Sequence, residues 1–144
     1  MDYFLTDEQK MIKGLAQKIA EEKILPVRAE YDEKEEFPWD VVKVLAQSDL
    51  FGVYIPEQYG GMGFGVFELC LAIEELSRVC GGIALAYAGT ALGTFPILIF
   101  GNEQQKKKYL PSIASGEKIA AFGVTESGAG SDITTLATTA KKEG

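Results

Sequence analysis

The 144-residue sequence predicts a mainly α-helical fold that changes to β structure near its C-terminal end. Three observations support this prediction. Apolar residues recur with the helical period behind capping-box pairs that begin at Thr6 and Asn102. Residues 81–100 carry no charge, as expected of a helix enclosed by other helices. A short apolar run at 119–124 precedes a glycine- and serine-rich loop, which is typical of a strand and its turn.

The first predicted helix begins at Thr6, because Thr6 and Gln9 have the spacing of a capping box. Pro26 ends or kinks this helix, since proline lacks the N–H donor that a helix interior needs. The charged run 30–36 is interpreted as a solvated surface segment. The predicted inner side of the first helix comprises Met11, Ile12, Leu15, Ala16, Ile19 and Ala20.

A second helix is predicted to begin at Pro38, which suits a first helical turn. Its apolar side comprises Trp39, Val42, Leu45 and Ala46. The glycine-rich segment 51–65 is predicted to be an extended loop. It lacks the G-x-G-x-x-G spacing and the Lys-Ser/Thr pair of nucleotide-binding loops, so it gives little support to a nucleotide site.

Residues 66–79 predict a third helix, with Phe67, Cys70, Leu71 and Glu74 along one side and Leu69, Ile73 and Leu76 widening the apolar stripe. Glu74 and Arg78 have the i,i+4 spacing of an ion pair. The adjacent carboxylates of Glu74 and Glu75 point about 100° apart on a helix, so they cannot act together on one atom. Surface or helix-pairing roles are therefore predicted for both.

The uncharged run 81–100 satisfies the length of a membrane span, but its glycines, threonines and Pro96 favour a helix among other helices. Its small residues leave room either for an alkyl chain or for close helix packing, and both interpretations stand. A further helix begins at the second capping box, Asn102 with Gln105, and Pro111 is predicted to end it. Lys106, Lys107 and Lys108 are interpreted as a solvated helix end.

The composition excludes several classes of function. A net charge of −7 without a basic stripe argues against binding to nucleic acid. The absence of histidine excludes His-based triads and zinc sites of the H-E-x-x-H type within this chain. Cys70 and Cys80 are predicted to be buried thiols in a reducing compartment. The acidic N-terminus resembles neither a signal nor a transit peptide, which predicts a cytoplasmic bacterial protein, or a mitochondrial matrix protein after processing.

The segment Gly123-Val124-Thr125-Glu126-Ser127-Gly128-Ala129-Gly130-Ser131-Asp132 is unusual because most of its residues are glycine, alanine, serine or threonine. Little side-chain bulk covers its backbone N–H groups, so they can meet a phosphate or the polar edge of a ring. The same composition is also typical of a flexible connection. Asp132 is predicted to fix the loop by accepting hydrogen bonds from nearby N–H groups.

This segment resembles the signature of the acyl-CoA dehydrogenases. Two further segments resemble the same family in the same order: Pro56-Glu57-Gln58-Tyr59-Gly60-Gly61-Met62-Gly63, and the stretch from Leu92 to Pro111. The resemblance implies an N-terminal helical domain over 1–117 and, over 118–144, the first one or two strands of a middle β-barrel domain. It also implies that the chain stops early in that domain, before a C-terminal four-helix domain.

The resemblance further implies an FAD-dependent enzyme that converts an acyl-CoA thioester to a trans-2-enoyl-CoA. The glutamate that removes the α-proton comes from the C-terminal domain, so no catalytic residue and no metal ligand is expected in this chain. The implied cofactor-binding residues are Phe122, Gly123, Val124, Thr125, Gly130 and Ser131. The implied substrate-binding residues are Ser131, Ala88 and Leu92. Ser127 stands where many members carry proline, which predicts a less rigid loop.

The implied partners are an acyl-CoA substrate and an electron-transferring flavoprotein as electron acceptor, within a homodimer or homotetramer. Neither nucleic acid nor an integral membrane segment is expected. Two alternatives remain open. One is an acyl-CoA oxidase on the same scaffold, which differs in oxygen access. The other is a non-catalytic helical module that binds a partner.

Overall fold

A computed structural model describes residues 4–143 of the chain. Helices dominate these residues, and the mainly helical fold class predicted from the sequence is confirmed. The six α-helices of this part of the chain are α1 (Asp7–Ile19), α2 (Arg28–Lys34), α3 (Trp39–Gln47), α4 (Val66–Val79), α5 (Gly81–Phe100) and α6 (Glu103–Ala114).

Helix α1 begins as the capping box predicts. The Gln9 N–H donates to the Thr6 hydroxyl oxygen at 3.3 Å, and the Thr6 N–H donates to the Gln9 side-chain oxygen at 3.0 Å. The helix widens into a π-helical turn, Ala20–Ile24, just before Pro26. The predicted inner side was too wide: Met11 is 74% exposed and Leu15 also reaches solvent. The residues that do face the core are Ile12, Ala16, Ile19 and Ala20.

The charged run after Pro26 is solvated, as predicted, although most of it forms helix α2, which buries no residue. Arg28 at its start donates a hydrogen bond to the Val79 carbonyl at the end of α4. In α3, Val41, Val42 and Leu45 are buried. Trp39, predicted to face inward, is mostly exposed and lies against Phe37 with ring centroids 4.6 Å apart.

The segment 51–65 is folded rather than extended, which corrects the prediction. Residues 51–55 are buried, and two short 3-10 turns, Leu50–Gly52 and Glu57–Tyr59, reverse the chain. The returning part donates backbone hydrogen bonds from Gly63 to the Ile55 carbonyl at 2.9 Å and from Met62 to the Gly52 carbonyl at 2.8 Å. Gly61 lies so close to Ile55 that a Cβ at Gly61 would stand 1.9 Å from the Ile55 carbonyl oxygen.

Helices α1 and α4 pack along each other, and a buried carboxylate joins them. Glu75 is 3% exposed; its Oε2 accepts a hydrogen bond from Arg78 at 2.6 Å, and its Oε1 lies 3.7 Å from the Lys13 ammonium. The predicted helix-pairing role therefore holds for Glu75. The predicted Glu74–Arg78 pair is wrong, because Arg78 pairs with Glu75, the residue after Glu74.

The remaining side chains of α4 show which of its sides faces the core. Of the four residues predicted to share one side, Phe67, Cys70 and Glu74 are exposed, whereas Leu71 is buried. The core side carries Leu69, Ala72 and Leu76. The prediction of a buried thiol is therefore wrong for Cys70, while Cys80 is partly buried.

Helix α5 has the predicted bounds but is not enclosed on all sides. Ile83, Tyr87, Ala91 and Thr94 are buried, whereas another side exposes Leu85, Leu92, Ile99 and Phe100. In the described part of the chain it is the one helix long and apolar enough to cross a membrane by length and composition. The second capping box starts α6 as predicted, but α6 continues past Pro111 to Ala114. Pro111 lies in the last turns, so its missing N–H removes one hydrogen bond without ending the helix.

The described residues after α6 contain no strand, although a strand was expected near 119–124 and one or two strands over 118–144. Residues 118–125 have no regular structure, an isolated bridge joins Glu126 and Ala129, and Ile133–Thr135 form a 3-10 turn. A strand is defined by hydrogen bonds to a neighbouring strand, and no second strand lies beside either segment in this part of the chain. The domain boundary near residue 117 stays a prediction.

Candidate functional site

The glycine-rich segment is brought to α5 by a turn after α6. Gly116 adopts a φ of +70°, which L side chains rarely adopt, and a Cβ there would stand 2.3 Å from the Ala46 Cβ. The Lys118 N–H then donates to the Ser112 carbonyl at 2.9 Å. Glycine at position 116 therefore allows the tight reversal.

The returning segment meets α5 at Gly93. A Cβ built on Gly93 would lie 2.7 Å from the Ala121 nitrogen and 2.8 Å from its carbonyl carbon and oxygen. Real Cβ atoms essentially never approach backbone atoms so closely, so the backbones of α5 and residue 121 touch only because residue 93 is glycine. This contact places the start of the motif beside the middle of α5.

The predicted substrate residues lie on α5 at the level of this contact. Leu92 directly precedes Gly93 and is 54% exposed, and Ala88, one turn earlier, is partly buried. On the adjoining segment, Phe122 and Val124 are about half exposed. The structure therefore brings an exposed apolar helix side and the two apolar residues of the motif into one region.

The inner side of α5 is fixed by buried hydroxyl groups that the sequence analysis missed. The Tyr54 hydroxyl lies 3.4 Å from the Thr94 hydroxyl, and the Thr94 hydroxyl donates to the Thr90 carbonyl at 2.7 Å. The Tyr87 hydroxyl donates to the Leu50 carbonyl at 2.7 Å. Burial raises the pKa of Tyr54 to about 12 and also raises that of Tyr87, so both remain neutral donors. Thr90 and Thr94, four residues apart in an otherwise apolar run, are the sequence feature that could have indicated these buried hydroxyl groups.

Glu126 closes the loop that follows the motif. Its carboxylate accepts hydrogen bonds from the Ala137 N–H at 2.8 Å and the Thr138 N–H at 2.9 Å. Hydrogen bonds from Thr138, and then from Ala137, lower the pKa of Glu126, so the carboxylate is ionised at neutral pH. Its backbone N–H also donates to the Ala129 carbonyl at 2.9 Å. This role could not be predicted from the sequence, because the hydrogen-bond partners of Glu126 lie eleven and twelve residues away.

Asp132 fixes the loop from within, as predicted. One carboxylate oxygen accepts hydrogen bonds from the Thr134 hydroxyl and, at 3.0 Å, from the Thr134 N–H. The Thr134 hydroxyl, followed by the Thr134 N–H, lowers the pKa of Asp132. The Thr135 hydroxyl adds a bond to the Asp132 carbonyl at 2.9 Å. Several local hydrogen bonds therefore hold the loop that contains Ser127. The lower rigidity expected from serine at this position stays a prediction.

The six predicted cofactor residues lie in two exposed stretches, 122–125 and 130–131. Phe122, Gly123, Val124, Thr125, Gly130 and Ser131 are all exposed. Nothing lies within 4 Å of a Cβ built on Gly123 or Gly130. Such a surface offers half-exposed apolar side chains, an exposed hydroxyl and accessible backbone N–H groups, which suits a flat ring with a polar edge. Among the residues that the structure describes, no cluster of three or more Cys, Asp or Glu side chains could hold a metal ion.

The family model for the N-terminal domain of acyl-CoA dehydrogenases matches residues 6–117. This chain belongs to the acyl-CoA dehydrogenase family. Among its relatives, the 3-(aryl)acrylate reductase of Clostridium sporogenes is 43% identical over 143 residues, which cover 98% of this chain and 38% of that protein. The acyl-CoA dehydrogenase of Bacillus subtilis is 42% identical over 140 residues, covering 96% of this chain and 37% of that protein.

Solved structures also superimpose closely on the chain. A structure described as an electron-transferring flavoprotein of Acidaminococcus fermentans has a TM-score of 0.92 at 39% identity, covering 100% of this chain and 38% of that one. Butyryl-CoA dehydrogenase from Megasphaera elsdenii has a TM-score of 0.85 at 37% identity, covering 93% and 36%. The chain thus spans under two fifths of the length of each of these four proteins.

Proposed function

We propose that this chain is the N-terminal part of an FAD-dependent acyl-CoA dehydrogenase that converts an acyl-CoA thioester to a trans-2-enoyl-CoA. The observation that carries the proposal is the contact of Ala121, two residues before the family's signature loop, with Gly93 on α5, next to the exposed Leu92. That arrangement places a surface suited to a flavin beside a surface suited to an acyl chain. When bound, FAD supplies the acceptor for the β-hydride of the substrate.

The residues present fit a flavin. Phe122 and Val124 supply apolar surface for the ring, and the exposed hydroxyl of Thr125 can hydrogen-bond its polar edge. Gly123 and Gly130 leave the backbone free of side chains where a ring or phosphate would approach. We assign Phe122, Gly123, Val124, Thr125, Gly130 and Ser131 to hold the cofactor.

The substrate side of the proposal rests on α5. Ala88 and Leu92 flank the acyl chain, and Ser131 meets the cofactor or the coenzyme A part of the substrate. Because the chain has a net charge of −7, the coenzyme A phosphates need a local set of donors rather than a general attraction. Ala88, Leu92 and Ser131 bind and orient the thioester. The glutamate that removes the α-proton is assigned to the family's C-terminal domain, and none of the 144 residues is given a catalytic role.

The partners follow the same proposal. An electron-transferring flavoprotein is the proposed electron acceptor, and the similar Acidaminococcus fermentans structure is described by that name. The full-length enzyme is proposed to form a dimer or tetramer in the bacterial cytoplasm. The Clostridium sporogenes relative is named as a reductase, which favours testing the reverse reaction, the reduction of a 2-enoyl thioester or acrylate, alongside oxidation.

The first test is a substrate screen of the full-length protein. We expect flavin to copurify with it and its visible absorbance to bleach on anaerobic mixing with acyl-CoAs of one range of chain lengths. Bleaching only by other reductants, followed by reoxidation with 2-enoyl substrates, would favour the reductase direction. Production of hydrogen peroxide in air would indicate an oxidase. Purification of a folded full-length protein without flavin would contradict the proposal and favour a binding module.

The second test concerns the Thr125 hydroxyl. In the full-length enzyme, Thr125→Val is expected to weaken FAD binding about 3- to 10-fold, since one hydrogen bond contributes about 1 kcal/mol. The measurement is the dissociation constant of FAD for the deflavinated protein, together with the flavin reduction potential. Thr139→Val is the matched control, because Thr139 is also exposed and has no assigned contact with the cofactor. Equal affinities and potentials for the two variants would remove Thr125 from the site.

A further inference from the structure

We propose that Gly93 is a positioning residue, which sets the distance between the acyl-facing side of α5 and the segment 121–125 that faces the flavin. This inference rests on the proposed function, which assigns the acyl and flavin surfaces. Its geometric basis is the contact between Gly93 and Ala121. The contact is made by backbone atoms on both sides, so no side chain can rotate away to relieve an added methyl group.

The space around α5 singles out this residue. Gly89, one turn earlier, has nothing within 4 Å of a built Cβ, and neither do Gly81 and Gly82 at the start of the helix. Glycine destabilises a helix interior relative to alanine, and the φ of Gly93 is not in the left-handed region that requires glycine. The approach of Ala121 is therefore the physical reason for glycine at position 93.

Helix α5 cannot withdraw from this contact, because its other side is held in the core. Thr94, next to Gly93, is fully buried and lies within hydrogen-bonding distance of Tyr54. Tyr87, two turns earlier, is also fully buried and donates to the Leu50 carbonyl. An added methyl group at residue 93 must therefore move the exposed segment rather than the helix.

The size of that movement decides its effect on catalysis. An ordinary contact from a Cβ is 3.4–4 Å, whereas the built distance is 2.7 Å, so the segment must shift by about 1 Å. Residues 122–125 follow directly, and they carry the proposed flavin contacts. A displacement of about 1 Å between reacting groups can cost about 100-fold in rate, while an acyl chain that lies against α5 keeps its own contacts.

The experiment compares glycine-to-alanine variants of the full-length enzyme. Gly93→Ala is expected to lower kcat for acyl-CoA oxidation 10- to 100-fold and to change KM less than about 3-fold. Gly14→Ala is the kinetic control, because Gly14 lies in α1 with open space around it. Hydrogen–deuterium exchange supplies a second readout: peptides covering 118–125 are expected to exchange faster in Gly93→Ala and to stay unchanged in Gly89→Ala.

Each outcome is decisive. Unchanged exchange and unchanged kcat in Gly93→Ala would overturn the proposal. Global unfolding of Gly93→Ala would also overturn it, because Ala121 is exposed and the helical core is expected to survive a local shift. If the wild-type protein oxidises no acyl-CoA, the proposed function fails, and the exchange comparison still tests the contact. If the enzyme is active and Gly93→Ala matches it in kcat while its exchange rises, the contact exists but does not position the flavin segment for catalysis.

Discussion

Gly61→Ala is expected to destabilise the protein by about 4 kcal/mol or more, among the largest effects that a single methyl group can have. The added Cβ would lie 1.9 Å from the Ile55 carbonyl oxygen and 2.5 Å from its carbon. Ile55 is fully buried, and the Gly63 N–H donates to the same carbonyl at 2.9 Å. Relief of the clash therefore has to break the paired turn. Thermal or denaturant unfolding of the full-length protein measures the loss.

Gly60→Ala is the control for this prediction, because the two glycines are neighbours with opposite constraints. Gly60 has a φ of +83° and open space around its built Cβ. Alanine there meets only backbone strain, which costs about 1–2 kcal/mol. A Gly61→Ala protein as stable as Gly60→Ala would show that residues 55 and 61 do not touch as described.

This turn matters for the candidate site as well as for stability. Tyr54, next to Ile55, reaches Thr94 on α5, and its ring lies 5.6 Å from that of Phe95. The Tyr59 hydroxyl donates to the Glu103 carboxylate at the start of α6 at 3.0 Å. The folded segment 51–65 thus holds both helices that bring the glycine-rich loop back to Gly93.

Local interactions account for the features that could be predicted from sequence. Capping boxes at Thr6 and Asn102 join residues three apart. The starts of α1 and α6 can therefore be predicted from side chains that are close in sequence. The hydrogen bonds around Asp132 are equally local. The signature loop was identified from its residues, by their resemblance to the family's signature. Its open backbone could also be predicted, because it depends only on small side chains within the loop.

Features that depend on distant partners could not be predicted in the same way. The helical period predicts an apolar stripe, but the packing of α4 on α1 determines how wide it is, and Met11 falls outside it. The strands expected after residue 118 require neighbouring strands to form. At the site, the Gly93–Ala121 contact and the reach of Glu126 to Ala137 join residues that only the folded chain brings together.

Replacing the buried carboxylate at Glu75 is expected to have the second large effect. Glu75→Gln keeps the size of the side chain but removes the charge that pairs with Arg78 at 2.6 Å and with Lys13 at 3.7 Å. Breaking a fully buried ion pair costs about 3–5 kcal/mol. Arg78 is 56% exposed and water can solvate it again, so we expect a loss of about 2 kcal/mol.

Glu74→Gln separates this effect from a general change of charge on α4. Glu74 is the exposed neighbour of Glu75, and its substitution changes the net charge by the same amount. Its free energy of unfolding is expected to stay within about 0.5 kcal/mol of wild type, as for most surface substitutions. Similar midpoints for the two variants would mean that the Arg78–Glu75–Lys13 group does not join α1 to α4. A lower midpoint for Glu75→Gln alone, with α5 still docked on α4, would show that this pairing stabilises the helical support on which the proposed site stands.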